Sequence, residues 1–161
     1  MSRIKVFEAD PSHPDHAATI IRLLDEYASH PMGGGSGLSD FTKANLPAEL
    51  AKRPTAHVIL AFVDGIAAGM IISFEGFSTF QCKPLLNLHD VIVSATFRGT
   101  GLSKLLLAKA EELARDLGCC KLTLEVLEGN TAARAAYQAC GFYRYELDPE
   151  MGKAMFWEKP V

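Results

Sequence analysis

The fold is decided by the stretch LHDVIVSATFRGTGLSKLLLAKAEELARDLG, which occupies residues 88–118. It opens with an apolar run typical of a buried strand and ends with apolar residues at helical spacing, and a glycine-rich turn separates the two. The helical part carries one apolar stripe, made of Leu102, Leu105, Leu106, Ala110, Leu113, Ala114 and Leu117. Gly118 stands where a C-terminal cap belongs. The stretch therefore predicts a strand over 85–93, a tight turn, and a helix over 102–117.

The segments on either side of this unit predict a mixed sheet. Short apolar runs between turn residues predict strands over the following segments: 4–7, 57–63, 66–74, 121–127, 142–147 and 154–158. Apolar residues at helical spacing predict helices over 15–30 and 131–140, and a shorter helical region that Pro47 interrupts.

The connections between these elements predict how the strands pair. Asp64-Gly65 is typical of a hairpin turn, so the strands beside it should pair antiparallel. A strand–helix–strand order over 85–127 instead requires a right-handed crossover and parallel pairing. We expect an α/β (α+β) fold with a mostly antiparallel sheet of about six to seven strands, one parallel strand–helix–strand unit, and helices on both faces.

Length and composition limit the class of protein. The chain has 161 residues, 48% of them hydrophobic and 22% charged, which is typical of one globular domain spanning residues 1–161. A net charge of −3 gives no general attraction for phosphates, so nucleic acid is not expected as a partner. No apolar run approaches the roughly 20 residues of a membrane helix, and the N-terminus has no apolar signal segment. We expect a cytoplasmic protein without a membrane partner.

The four cysteines do not predict a metal site. Cys82, Cys119, Cys120 and Cys140 lack C-x-x-C spacing and are too few for a small disulfide scaffold. Reduced thiols are therefore expected, and no metal.

The turn over 98–103 has the features of an anion site. Free amides at the start of a helix and the positive end of its dipole favour a group such as pyrophosphate. Gly99 and Gly101 let the backbone approach a ligand, Ser103 is small, and Arg98 adds positive charge. The turn lacks the phosphate-loop pattern, and Lys104 stands where a dinucleotide fingerprint would have its third glycine. A different pyrophosphate ligand is indicated, with a plain tight turn as the alternative.

Two motifs flank the predicted helix. Val91-Ile92-Val93 followed by residues 98–103 matches a V-x-V strand and the pattern [QR]-x-x-G-x-[GA], with Ser103 in place of the usual glycine or alanine. Further on come Leu124-Glu125-Val126, Asn130-Thr131-Ala132-Ala133, Tyr137 and Gly141-Phe142, in the usual order and spacing. With these motifs the chain resembles the GNAT superfamily of N-acetyltransferases.

The resemblance implies a function and a binding site. It implies transfer of an acetyl group from acetyl-CoA, as cosubstrate, to a primary amine of a small molecule or peptide, by direct attack in a ternary complex. The residues it implies for cofactor binding are Val91, Ile92, Val93, Arg98, Gly99, Thr100, Gly101, Leu102, Ser103, Lys104, Asn130 and Tyr137. The family often dimerises through C-terminal strands, so a homodimer is possible, with Phe156 and Trp157 at the interface or in the core. The alternatives are a non-catalytic acyl-CoA-binding sensor or interaction module with the same fold, and a nucleotide-binding domain.

The chemistry of acetyl transfer needs a base and an acid. An amine with a pKa of about 10.4 must lose a proton before it attacks, and the departing thiolate must gain one. By resemblance, Tyr137 is the candidate acid and Glu125 the favoured base. His89 and Asp90 are the runners-up, although neighbouring residues on a regular strand face opposite ways unless a bulge intervenes. An acetylated Cys140 is disfavoured, because direct transfer needs no protein nucleophile.

The acceptor pocket is predicted only in outline. Loops carry specificity on a rigid scaffold, so the glycine-rich segment 32–37 and the aromatic segment 74–80 are expected to line it. Glu26, Asp40 and Glu75 could attract a cationic amine, or could be solvated surface charges. No particular acceptor is predicted.

Overall fold

The computed structural model describes all 161 residues, which divide into two compact units, residues 1–127 and 128–161. The first unit contains β1 (Ile4–Ala9), α1 (Pro14–Ser29), α2 (Asp40–Ala51), β2 (Ala56–Val63), β3 (Ile66–Ser78), β4 (Lys83–Val93), α3 (Leu102–Asp116) and β5 (Leu122–Leu124). The second contains α4 (Thr131–Ala139). Short 3-10 turns occur at Pro31–Gly33, Ala95–Phe97 and Pro149–Met151. None of the helices is long and apolar enough to cross a bilayer.

The strands of the first unit form one mixed sheet in the order β1-β2-β3-β4-β5. The first four pair antiparallel, and β5 pairs parallel with β4 after the crossover through α3. The β2–β3 hairpin turns at Asp64 and Gly65, which both have positive φ (50° and 83°), as a type I′ turn requires. The predicted mixed sheet with one parallel strand–helix–strand unit is confirmed.

Helices cover both faces of this sheet. On one face, α1 and α2 bury Ile20, Leu23 and Leu50 against Met70 and Ile72 of β3. On the other face, α3 lays its apolar stripe against the sheet, with Leu102 and Leu106 beside Gly69 of β3. The periodic apolar residues of α3 produced the correct helix prediction, because most of them are also buried against the sheet. Leu105 of the predicted stripe is instead 43% exposed, and Leu107, outside the stripe, is buried.

Two predicted breaks in regular structure are wrong. Pro47 lies inside α2, which is continuous over its 12 residues. Leu46 and Leu50 pack from α2 against the core, and this tertiary packing offsets the backbone hydrogen bond that proline removes. The connection expected over 75–84 is largely strand: β3 and β4 pair as far as Ser78 with Lys83.

The prediction of six to seven strands is also wrong, because the sheet has five. Residues 142–147 and 154–158, expected as strands, form none, and β5 has three residues where seven were expected. Tyr143, Met151 and Trp157 are 90%, 85% and 80% exposed. Alternating polar and apolar residues favour a strand only where a neighbouring strand pairs with them, and neither segment takes part in strand pairing.

Candidate active site

A gap opens between β4 and β5 at the centre of the predicted site. The two strands pair only at Leu86 with Leu122, Asn87 with Thr123, and Leu88 with Leu124. The Asn87 amide also donates to the Thr123 hydroxyl at 3.0 Å, which ties the strands together at the closed end of the gap. Beyond Leu88, β4 continues to Val93 with β3 on one side and no paired strand on the other. Residues 91–93, predicted to bind the cofactor, therefore border a gap that an extended ligand could enter. The backbone groups of Val91 and Val93 face this gap, whereas those of Ile92 face β3, as the Ser94 amide does when it donates to the Ala68 carbonyl.

A β-bulge lies where the gap opens. Ile72 of β3 pairs with Asp90 and Ser73 pairs with Leu88, so His89 has no partner across the ladder. The extra residue places His89 and Asp90 on the same face of the sheet. Asp90 lies opposite Ile72, a core residue beneath α1, and the His89 ring lies 5.6 Å from that of Phe74, which packs against the same core. The bulge that sequence analysis required for both side chains to share a cleft is therefore present.

Burial changes the pKa of Asp90 and of the nearby Tyr27. The pKa of the half-buried Asp90 carboxyl is raised, mainly by desolvation, and the neighbouring His89 opposes the rise. The pKa of the Tyr27 phenol is raised by burial and by the charge of Asp90. Tyr27 of α1 thus lies close to Asp90, and its hydroxyl donates to the Met32 carbonyl at 3.4 Å. A carboxylate with a raised pKa is a stronger base at neutral pH than an ordinary aspartate.

The glycine turn ahead of α3 fits an anionic ligand. Gly99 and Gly101 have φ of 76° and 81°, values that favour glycine, and no heavy atom lies within 4 Å of where a β-carbon would be. The amides of Leu102 and Ser103 have no acceptor in the protein, whereas the Lys104 amide donates to the Gly101 carbonyl at 3.1 Å. The turn therefore offers unpartnered donors beside open space.

Two side chains flank this turn. Arg98 is exposed, and its Nε donates to the Val93 carbonyl at 3.4 Å, which keeps the guanidinium beside the end of β4. The Thr100 hydroxyl donates to the Phe97 carbonyl at 2.6 Å. The residues present fit the diphosphate of coenzyme A, since donors, a cation and open space meet at the positive end of α3.

Glu125 lies in a different environment from Asp90. It directly follows β5, and its side chain is exposed, as are those of Val126 and Leu127. The carboxylate thus sits in solvent at the open end of the gap. Most glutamates are solvated in this way, and the structure shows nothing that holds Glu125 in place to remove a proton from an amine.

The remaining predicted residues belong to the second unit. Asn130 caps α4, and its Oδ1 accepts a hydrogen bond from the Ala133 amide at 3.2 Å. Tyr137 is half-buried with its ring 5.9 Å from that of Phe142, and Cys140 is a free thiol at the end of α4. Within this unit Asn130 has the local role of a helix cap, and the cofactor contact that the resemblance implies for it stays a prediction.

The carboxylates considered for amine attraction are partly engaged elsewhere. Glu75 lies 3.2 Å from Nε2 of His57, whose Nδ1 lies 3.1 Å from Glu8, so these side chains form a network across β1, β2 and β3. Glu26 accepts hydrogen bonds from Ser94 and Ala95, just after β4. Sequence reasoning missed Tyr27 as a site residue, because its place in the apolar stripe of α1 predicts only packing.

Comparison with known proteins identifies the family of this chain. The model of the Acetyltransferase (GNAT) family matches residues 20–142. Thialysine N-epsilon-acetyltransferase of Caenorhabditis elegans is 30% identical over 139 residues, which cover 86% of this chain and 84% of that protein. A probable glucosamine 6-phosphate N-acetyltransferase 2 of Oryza sativa subsp. japonica is 29% identical over 80% of this chain and 76% of that protein. The chain belongs to the acetyltransferase (GNAT) family.

Solved structures share the fold. The aminoglycoside acetyltransferase AAC(6')-Iy, in complex with the bisubstrate analogue CoA-S-monomethyl-acetylneamine, superimposes with a TM-score of 0.78 at 19% identity, over 99% of both chains. A ribosomal-protein-alanine N-acetyltransferase of Brucella melitensis biovar Abortus 2308 superimposes with a TM-score of 0.66 at 18% identity, over 99% of this chain and 98% of that one. The predicted resemblance and the class of acetyl-CoA-dependent N-acetyltransferase are confirmed.

Proposed function

We propose that the protein transfers an acetyl group from acetyl-CoA to a primary amine of a small molecule, by direct attack in a ternary complex. The observation that carries this proposal is the end of β4–β5 pairing at Leu88 and Leu124, which leaves the second half of β4 open beside the glycine turn. The relatives named for thialysine and glucosamine 6-phosphate support an amine acceptor. Acetyl-CoA would supply the activated thioester, and the protein would bind it and prepare the amine.

Asp90 is the base that the geometry supports best. It shares a face with His89, its burial raises its pKa, and it lies near Tyr27 at the bulge. A carboxylate there can attract an ammonium group and take its proton, directly or through water. Glu125, favoured by the resemblance, is the second candidate, and its exposure is the argument against it.

The other proposed roles follow the resemblance. Of the two amides considered for the carbonyl oxygen under attack, those of Ile92 and Val93, the Val93 amide is proposed to donate to it, as an oxyanion hole does, because the Ile92 amide faces β3. The Tyr137 hydroxyl is the proposed proton donor for the departing sulfur. Arg98 and the amides of 99–104 are proposed to hold the diphosphate, and Asn130 to contact the cofactor. No metal has a role in this scheme.

We further propose a homodimer that covers the exposed C-terminal residues. Phe156 and Trp157 are 73% and 80% exposed, and contiguous exposed apolar side chains mark interaction surfaces. Light scattering of the full chain should give twice the monomer mass of 17.5 kDa, and Trp157→Ser should shift it toward the monomer. A wild-type protein that stays monomeric at high concentration would remove this part of the proposal. A cytoplasmic location stays a prediction.

An activity assay distinguishes an acetyltransferase from a non-catalytic sensor that only binds acyl-CoA. Release of free coenzyme A thiol from acetyl-CoA is measured with lysine analogues, amino sugars, aminoglycosides, polyamines and peptides. Asp90→Asn should lower kcat by about 100-fold or more, as expected for loss of a general base, whereas Glu125→Gln should stay within about threefold of wild type. The reverse order would identify Glu125 as the base. Tight coenzyme A binding with no thiol release for any amine would favour the non-catalytic alternative.

A further inference from the structure

The carboxylate of Glu26 joins α1 to the end of β4. Its Oε1 accepts hydrogen bonds from the Ala95 amide at 2.9 Å and from the Ser94 hydroxyl at 2.9 Å, and its Oε2 lies 3.1 Å from the same hydroxyl. Ser94 is 7% exposed, and Glu26 is the only acceptor that its hydroxyl finds. The contact joins residues 68 positions apart, so it depends on the tertiary fold.

The residues that Glu26 holds begin the turn toward the glycines. The Phe97 amide donates to the Ser94 carbonyl at 2.9 Å, and the Arg98 amide donates to the Ala95 carbonyl at 3.4 Å. The turn is thus built on Ser94 and Ala95, and Gly99 follows Arg98 directly. A shift of Ala95 would move the amides and the guanidinium proposed to meet the diphosphate.

The surroundings of Glu26 do not fit an amine anchor. The Ser94 hydroxyl and the Ala95 amide, just after β4, already donate to the carboxylate, and the Arg22 guanidinium lies 3.9 Å from its Oε2. Donors and a cation together satisfy the negative charge from within the protein. The geometry fits a support for backbone atoms better than a site for a cationic substrate.

We propose that Glu26 is a positioning residue for the coenzyme A site, one that acts through Ser94 and Ala95 and touches neither substrate. The inference rests on the proposed function, because it assumes that the turn before α3 binds coenzyme A. Glu26 holds the turn in its binding conformation before the ligand arrives, so that less ordering is needed on binding. Removal of the carboxylate weakens coenzyme A binding while the machinery for proton transfer stays intact.

The adjacent Asp25 provides a matched control. Its side chain is 34% exposed, as is that of Glu26, and its Oδ1 accepts a hydrogen bond from the Leu38 amide at 2.8 Å. Asp25 therefore makes an equivalent contact from the same helix to a different loop. Asp25→Ala and Glu26→Ala should lower stability similarly, but only Glu26→Ala should affect coenzyme A binding.

The experiment is calorimetric titration of the full-length protein with coenzyme A. We expect Glu26→Ala to raise Kd by about tenfold, as for the loss of one hydrogen bond to a charged acceptor. Glu26→Gln, which keeps an oxygen acceptor at the same distance, should stay within about threefold, and Asp25→Ala within about twofold. In the thiol assay, Glu26→Ala should raise KM for acetyl-CoA with little change in kcat.

Each result bears on the proposal. Equal Kd for Glu26→Ala and wild type would overturn it, as would an equal loss of affinity in Asp25→Ala. A wild-type protein that fails to bind coenzyme A would overturn the proposed function itself. If Glu26→Ala does not fold, Glu26→Asp is used in its place. Aspartate keeps the negative charge, but its carboxylate lies one methylene further from Ser94 and Ala95. If Glu26 acts by position, Glu26→Asp should therefore bind coenzyme A more weakly than Glu26→Gln. The opposite order would show that charge matters and that position does not.

Discussion

Replacement of Gly69 by alanine tests how closely α3 lies on the sheet. A methyl group there would lie 2.8 Å from Cδ1 of Leu106 and 2.9 Å from the carbonyl oxygen of Ile92. Carbon atoms pack best at about 3.5–4.0 Å, so the leucine methyl would have to retreat by about 0.7 Å or more. Leu106 is fully buried, and the Ile92 oxygen belongs to a paired strand, so neither can move alone.

We expect Gly69→Ala to destabilise the protein by about 1–3 kcal/mol, the usual cost of overpacking a core. For a chain of this size that corresponds to a fall in Tm of about 2–12 °C, to be measured by circular dichroism, with urea unfolding as the second measurement. Leu102 and Leu106 lie near the start of α3, so displacement of the helix should also weaken coenzyme A binding at the turn.

Two variants control this prediction. Gly129 has no atom within 4 Å of a would-be β-carbon and no positive φ, so Gly129→Ala should stay within about 0.5 kcal/mol of wild type. Leu106→Ala should lower the free energy of unfolding by about 2–5 kcal/mol, because it leaves a cavity. The methyl group of Gly69→Ala would partly fill this cavity, so the double variant should lose less stability than the sum of the two single losses. If Gly69→Ala is as stable as Gly129→Ala, the close packing inferred for α3 is refuted.

Two further predictions concern the site. The folded-state pKa of Asp90 is raised, so the folded protein binds its proton more tightly than the unfolded chain, and stability is lost as pH rises from the ordinary value of 3.8 through the folded pKa. Asp90→Asn should therefore unfold at a higher urea concentration than wild type at pH 7, and this gain in stability should shrink toward pH 4. An equal gain in stability at both pH values would contradict a raised pKa for Asp90. Arg98→Ala should raise the Kd for coenzyme A by about three- to tenfold in low salt and by less in high salt, because the exposed guanidinium is screened. An effect independent of salt would argue against a charge contact.

The parts of the fold that could be predicted are those whose signal is local. Helix α3 was expected over 102–117 and is observed at Leu102–Asp116, because its apolar spacing and its terminal glycine lie within one short segment. The glycine turn was predicted for the same reason. The strands expected over 142–147 and 154–158 failed because a strand needs a partner that its own sequence does not encode.

The parts of the site that escaped prediction depend on tertiary pairing. No feature of residues 88–93 places the bulge at His89, because the bulge arises from the register of β4 against β3. Tyr27 and Glu26 lie on α1, far from β4 in sequence, and look like ordinary helix residues until α1 docks. Single-sequence reasoning thus located the glycine turn and named Asp90 among the candidate bases, with Glu125 favoured; the roles of these residues stay predictions.

The bulge at His89 makes this position behave as an insertion within an otherwise regular strand. Asp90, Val91, Ile92 and Val93 face the same sides that they would face if the residue before Asp90 were missing, since their partners on β3 follow simple alternation. A sequence shorter by one residue here would keep the carboxylate and lose only the imidazole and the local bend. Evolution could therefore change this cleft from two adjacent functional groups to one by a single codon, without repacking the core beneath it.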